Sequence, residues 1–534
     1  MMELQKIIRS FKQKFFISDC ESICKLNLEK MISEDKNFQN KEYSPSFSIA
    51  FEATEDLYYY VVFGILSISI SKKYNILAYQ FSTHYFSPGE SNNLIIFIIK
   101  NIITRLGNLK WRRLYLTFGA TSLQLADLIN LRKHLNIARE AYLIWNELKE
   151  KNSLLKLTHR NIWIGDLVID TYLRFKPAPT VNLQDPFLLV VLWRAIKEVH
   201  RSKAFFEKVR PLTYLTPYTT YIQHGVPARV AIECGIKVFA FGNYQEFVKC
   251  ITSGDLVHTK NCDKYAEDFG KIKDVELKRT QAEVILKKRF SGVMDPSLSY
   301  MRESAYSHKG IASPDVVDGF VIFLHDFYDS PHVYKDMVFD DFWDWICYTI
   351  ELLESLNAKY VIKPHPNQIE LSDEVIIRLK SHYPGAVFLS ENVNNVELVK
   401  AGMRCAITVY GTVAHEMAYL GVPTISCAHH PHSSFEFVFN ASTLNQYSSL
   451  LTQMNNKEAS LSWNIAAMRR QSLEFVYMHY MNLDYDENEL LENLASLRRE
   501  VNLAEVDKYR LNSLLDKITE SAGVKDFVNN FPHR

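Results

Sequence analysis

A chain of 534 residues is too long for one ordinary hydrophobic core and predicts two domains of α/β size. With 47% hydrophobic and 23% charged residues it is composed like a folded globular protein, and its zero formal net charge offers no basic excess for a nucleic-acid partner. The eight cysteines, at 20, 24, 234, 250, 262, 347, 405 and 427, form no Cys-x-x-Cys pair, which suits a reducing cytoplasm and argues against a structural zinc site.

Residues 1–16 are basic and amphipathic: Leu4, Ile7, Ile8, Phe11 and Phe15 alternate with Lys6, Arg9, Lys12 and Lys14. Such a segment either docks on its own domain, the favoured reading, or lies on an anionic membrane surface. The N-terminus lacks the long apolar core and small-residue cleavage site of a secretory leader. The apolar run Leu94–Ile103 is short and broken by Lys100 and Asn101, so it predicts a buried helix and no membrane span. Between about 45 and 250, β-rich runs alternate with helical periods. Strands are expected at Tyr58–Phe63, Asn75–Phe81, Arg113–Phe118 and Val238–Phe241, and helices at Ser122–Leu135, Arg139–Glu150 and Pro186–Lys208.

Two stretches of this half can carry chemistry. In Asn161–Arg174, a helix starting at Asp166 puts Asp166, Asp170 and Arg174 on one face at successive turns. Either aspartate can take the proton of an attacking hydroxyl; the alternative is an N-cap plus an i,i+4 ion pair. In Tyr221–Val238, Gln223-His224-Gly225 falls after a β-rich run and before a helix that Gly235 ends. His224 and Arg229 there are candidates to contact acceptor or donor. Residues 255–315 are rich in Lys, Asp and Glu and read as a connector. The first domain is therefore placed at 1–310 and the second at 318–534.

The second half opens on Phe320–Leu324, a continuous apolar run expected of a central parallel strand. His325, Asp326, Asp329, Ser330 and His332 crowd the loop that follows. Phe342–Leu356 reads as a helix. The run Tyr360–Ile362 is a short strand that Pro364 must stop, leaving Lys363, His365 and Pro366 at a strand's carboxyl end. Ser390 and Asn392 follow another short strand, Ala386–Leu389. In Cys405–Ile425, strand Ala406–Val409 turns through Tyr410-Gly411-Thr412 into a helix with Thr412 as N-cap, stopped by Gly421 and Pro423. That is one βαβ unit, and ligands of such sheets bind outside the carboxyl ends of the strands. The helix start offers N–H groups and a positive dipole end to a phosphate, and Glu416, one turn below Thr412, can accept from two ribose hydroxyls. His429, His430 and His432 read either as a metal tract or as a loop over a donor sugar. Charged helices fill the last hundred residues.

The combination Lys363-Pro-His-Pro366, Tyr410-Gly-Thr-Val-Ala-His-Glu416 and Leu420-Gly-Val-Pro423 resembles bacterial GT-B glycosyltransferases of capsule and surface-polysaccharide synthesis, the Kdo- and sialic-acid-transferring groups among them. The likeness spans about residues 318–430. It implies a GT-B fold: two Rossmann-like domains facing a cleft, with a C-terminal helix crossing back onto the first. It implies a metal-independent, inverting transferase with no cofactor, whose substrates are a nucleotide sugar, CMP-linked before UDP-linked, and a glycan or glycolipid acceptor. His365 and Pro366 would contact the donor phosphate, Glu416 the ribose, backbone near Ser390 and Asn392 the base, and His325 the phosphates, with Lys363 adding positive field. The implied place is the cytoplasm, with peripheral contact at the inner membrane if the basic N-terminal segment lies on it. Three alternatives stand beside it: a CDP-polyol phosphotransferase, a sugar-nucleotide 2-epimerase, and a non-catalytic nucleotide-binding assembly protein.

Overall fold

A computed structural model describes residues 17–33, 48–74, 77–81, 110–111, 113–118, 121–122, 131–176, 178–243, 245–293, 306, 318–365, 370–458, 462–482, 485–503 and 507–531. The expectations for the segments 1–16 and 94–103 and for Pro366 fall outside them. Among the described residues, no helix is long and apolar enough to cross a membrane.

The chain forms two compact units. The first comprises Met1–Phe175, Asn182–His258 and Asp484–Arg534; the second comprises Lys176–Val181 and Thr259–Leu483. Two helices of the expected connector, Tyr265–Phe269 and Val275–Phe290, thus belong to the second unit.

The sheet of the first unit contains β1 (Ser48–Glu52), β2 (Leu77–Phe81) and β3 (Thr121–Ser122). A hairpin of β4 (Thr158–His159) and β5 (Ile162–Trp163) stands apart, and β6 (Thr213–Thr216), β7 (Lys237–Ala240) and β8 (Lys249–Ile251) complete the sheet. Its order is β3-β2-β1-β6-β7-β8, with every pairing parallel except β7 with β8. The chain winds outward from β1 to one edge, then returns beside β1 and winds to the other. That reversal makes β1/β6 a topological switch point. The core is aromatic: Phe51 of β1 lies 5.4 Å from Tyr115 and 5.5 Å from Phe118. Helices of the C-terminal tail supply Leu494, Leu511, Leu515 and Phe527 to this same core, so the last helices return to the first unit as the resemblance implies.

Two expected strands of this unit are helical. Tyr58–Phe63 lies inside the helix Leu57–Tyr74, and residues 113–116 form helical turn. Tyr, Val and Phe favour strands locally, but an apolar run of this length is too long for one strand and is buried along most of its length. Asp56 starts the helix, its carboxylate accepting from Tyr59 N–H at 3.2 Å.

The second unit carries β9 (Phe320–Phe323), β10 (Tyr360–Lys363), β11 (Cys405–Ile407), β12 (Thr424–Ser426) and β13 (Val438–Asn440), ordered β10-β9-β11-β12-β13 and wholly parallel. The expected strand Ala386–Leu389 contributes one parallel bridge, Phe388 to Ile362, beyond β10. The central strands β9 and β11 are buried at every position, and both are unbroken apolar runs. Phe320 and Ile322 pack with Trp345 and Ile350 on one face; Val321 and Phe323 pack with Val413 and Met417 on the other. The switch point is β9/β11. Two doubly wound α/β units with the C-terminal helices returned to the first is GT-B-class architecture.

Candidate functional site

The loops after β9, β10 and β11 meet at the carboxyl end of the second sheet. His325 follows β9 and is half-buried by its neighbours, stacked on Phe342 with ring centroids 4.8 Å apart. Burial lowers its pKa to about 3, with the nearby His365 acting in the same direction. Its Nε2 accepts from Val409 N–H at 3.3 Å and lies 3.1 Å from Thr408 Oγ1. These contacts tie the β9 loop to the turn after β11. The rest of its loop is held by turn bonds: Asp326 accepts from Tyr328 N–H and from Ser372, and Asp329 from Ser330 N–H.

The turn itself is tightly specified. Tyr410 packs 4.5 Å from His325 and donates to the Ser330 carbonyl at 2.9 Å. A Cβ on Gly411 would come 2.8 Å from Thr408 Oγ1, the oxygen that receives Gly411 N–H. Gly411→Ala is therefore expected to cost about 1–3 kcal/mol of stability, read by denaturant melts. Thr412 differs from its expected role. Its backbone is helical, its side chain caps nothing, and it is exposed, leaving its hydroxyl at the mouth of the helix Val413–Leu420.

Glu416, one turn on, is buried at 6% exposure. Tyr306 donates to its Oε2 at 2.6 Å and Arg289 stands 3.5 Å from its Oε1. Burial raises its pKa, opposed by Arg289 and the Tyr306 hydrogen bond. Lys363, at the end of β10, is also buried; desolvation lowers its pKa to about 8, opposed by Glu416. Its ammonium donates to Asn395, which in turn reaches Tyr306. His365 sits at the end of the same strand with its pKa lowered by burial. Ser390 is exposed and receives Asn392 N–H at 3.3 Å. Tyr306, Arg289 and Asn395 were not anticipated, because only tertiary packing brings them to Glu416.

The histidine tract is drawn into the interior of the second unit. His430, His432 and His415 are buried in a chain of hydrogen bonds whose partners fix every tautomer. Arg289 donates to His415 Nε2 at 3.1 Å, and His415 Nδ1 faces His432 Nε2 at 3.1 Å. His432 Nδ1 faces His430 Nδ1 at 2.9 Å, His430 Nε2 faces Ser426 Oγ at 2.9 Å, and Ser426 donates to Asn440. Since Arg289 has only donors, each ring must donate onward to the next. The chain orients Arg289 toward Glu416. His429 lies outside it, 2.7 Å from Asp263.

The first unit has its own cluster at its switch point. Glu52 ends β1, is fully buried, and accepts from Thr216 of β6 at 2.8 Å. Its other oxygen meets His224 Nδ1 at 2.7 Å. His224 lies in a single π-helical turn, Tyr221–Gly225, a form that recurs at functional sites. The turn is held by Ile222 N–H donating to Thr171, by a positive φ of 59° at Tyr221, and by the absence of a side chain at Gly225. A Cβ at Gly225 would approach the Thr219 carbonyl to 2.5 Å. Beside His224, Gln223 Oε1 is buried without a hydrogen-bond partner, an acceptor ready for a ligand hydroxyl. Glu52 was missed in the sequence, although a carboxylate closing an apolar strand was a readable sign.

Asp166 and Asp170 are buried on the helix Gly165–Phe175. Asp166 is bound at both oxygens by Arg229, at 2.7 and 2.5 Å, so the structure gives it an ion partner in place of a proton to abstract.

No protein-family model matches this chain, and no curated protein does. Among solved structures it matches the UDP-GlcNAc 2-epimerase of Methanocaldococcus jannaschii in complex with UDP-GlcNAc and UDP, at 12% identity over 80% of this chain and 97% of that one, TM-score 0.24. It also matches the Neisseria meningitidis UDP-GlcNAc 2-epimerase bound to UDP-GlcNAc, at 10% identity over 81% and 98%, TM-score 0.22. Superpositions this loose carry no weight, and the fold class stands on the strand orders of the two sheets.

Proposed function

We propose that the chain is a glycosyltransferase that takes a sugar from a nucleotide sugar, CMP-linked or UDP-linked, and passes it to a glycan or glycolipid hydroxyl of a bacterial surface polysaccharide. The observation that carries this is the group at the second switch point. An open helix N-terminus with a free-standing Thr412 hydroxyl lies one turn from buried Glu416, with Lys363 and His365 at the end of β10, two strands from β11 across β9. Positive field for a phosphate beside a buried carboxylate for a ribose is what a nucleotide needs. The helix dipole, Lys363 and His365 would stabilise the leaving phosphate, with no step requiring a metal. The first unit would take the acceptor. There His224, its Nδ1–H directed at Glu52, presents Nε2 as the base for the attacking hydroxyl.

The test is a thermal-shift panel of CMP, CDP, UMP, UDP, GDP and ADP on wild type and His365→Ala. One cytidine or uridine nucleotide should stabilise the wild type, by about 2.7 kcal/mol at a hundred times its Kd, and not the variant. The affinity should depend on pH with a defined sign. Burial lowers the His365 and Lys363 pKa values in the free protein, the latter to about 8, and a bound phosphate favours both protonated forms. Binding should therefore take up protons and weaken as pH rises through 8, measurable by calorimetry in buffers of different ionisation heat. No stabilisation by any of the six nucleotides sinks the reading.

A further inference from the structure

We propose that Glu140, His159 and His200 form a divalent metal site of zinc type in the first unit, apart from both clusters above. The three residues come from separate elements: Glu140 from the helix Leu131–Glu147, His159 from β4, and His200 from the helix Pro186–Val209. One ligating atom of each lies within 4.8 Å of the other two, the sole such trio of His, Cys, Asp or Glu among the described residues. The spacing is what distinguishes a metal site from a hydrogen-bonded triad. His200 Nε2 is 3.4 Å from one oxygen of Glu140 and His159 Nε2 is 3.8 Å from the other. Good hydrogen bonds between such groups are near 2.9 Å. Zinc bonds of about 2.0–2.2 Å in a tetrahedron separate neighbouring ligand atoms by roughly 3.3–3.5 Å. The 3.4 Å separation falls at that edge length and the 3.8 Å one a little beyond it.

A second observation is independent of that spacing. His159 is 7% exposed, and its Nε2 is buried with no hydrogen-bond partner. Leaving such a nitrogen unsatisfied costs free energy, and a metal ion at the centre of the trio satisfies it. The backbone is built to deliver this ring: Arg160 and Asn161, with φ of 51° and 67°, close a two-residue hairpin turn immediately after it. The Glu140 side chain is 38% exposed, which leaves a fourth position for water. The ion class follows from the donors. Two imidazoles and one carboxylate suit Zn2+, whereas Mg2+ and Ca2+ are held by oxygen ligands. Bound there, the ion would join the hairpin to the two helices.

The experiment uses the full-length, tag-free protein, stripped with chelator and titrated with Zn2+ and Co2+. Wild type should bind one equivalent, give the visible absorption of four-coordinate Co2+, and melt higher with Zn2+ than without. His200→Gln and Glu140→Gln alter the more exposed side of the site, so the metal-free variants should melt with the metal-free wild type. Each should bind Zn2+ at least about tenfold more weakly and lose the Co2+ bands. The proposal falls if wild type takes up no Zn2+, or if both variants bind it as tightly as wild type. No outcome depends on turnover, so it stands or falls separately from the transferase reading.

Discussion

Replacing His224 with glutamine is expected to lower turnover of the nucleotide sugar about 10²- to 10⁴-fold, the contribution typical of one positioned acid–base group, while the nucleotide-induced melting shift stays intact. The expectation rests on where the ring is held. A buried carboxylate at 2.7 Å fixes Nδ1 as the protonated nitrogen, so Nε2 carries the lone pair. The π-turn sets the ring at the carboxyl edge of the sheet, next to the unpartnered Gln223 Oε1. Glu52→Gln should follow His224→Gln in kcat and not in KM. Its neutral amide keeps the shape but cannot offset the positive charge that builds on the imidazole as it accepts the hydroxyl proton. Single-turnover rates beside thermal shifts separate the two effects. Near-normal turnover in H224Q would remove the base from this cluster.

The parts of the fold that could be read in the sequence are those where one local signal dominates. Phe320–Leu324 and Tyr360–Ile362 are apolar runs bounded by turn residues, and they are strands. Gly421, with φ of 87°, ends its helix as its position implies. The helix Leu57–Tyr74 was hidden because its β-favouring residues are selected by burial on all sides and its cap, Asp56, is a single residue. The candidate site divides in the same way. His365, Glu416 and His224 announce themselves by standing at strand ends or one helical turn beyond. Their partners do not. Tyr306 is 110 residues from Glu416, Glu52 is 172 from His224, and Arg289 is 126 from His415, so only the sheet crossovers bring them together. Histidines 430 and 432 show the opposite hazard: a metal-like spacing that packing turns into a hydrogen-bonded wire.

Asp166→Ala should destabilise the first unit by about 3–5 kcal/mol, because it strands Arg229 as an uncompensated buried cation. The pair is bidentate, with both side chains under a tenth exposed, and Arg229 also donates to the Trp163 carbonyl at 2.7 Å with its guanidinium 4.7 Å from the Trp163 ring. It links the helix Gly165–Phe175 to the helix Val226–Glu233, whose first residue follows the π-turn that holds His224. A fall in melting temperature of about 5–8 °C is the corresponding signal for a unit of this size. Activity should fall too, but through the loosened turn, and the loss should shrink at lower temperature. The double replacement Asp166→Leu with Arg229→Met separates the structural role from a catalytic one. Removing both charges and keeping volume should restore most of the stability, since a buried pair is often no better than an apolar one. If Asp166 were the base, the double variant would be stable and dead, and Asp166→Asn alone would lose turnover without losing stability. If the pair is a brace, recovery of stability brings back turnover, because the group that takes the proton is on the next element and has been returned to its place.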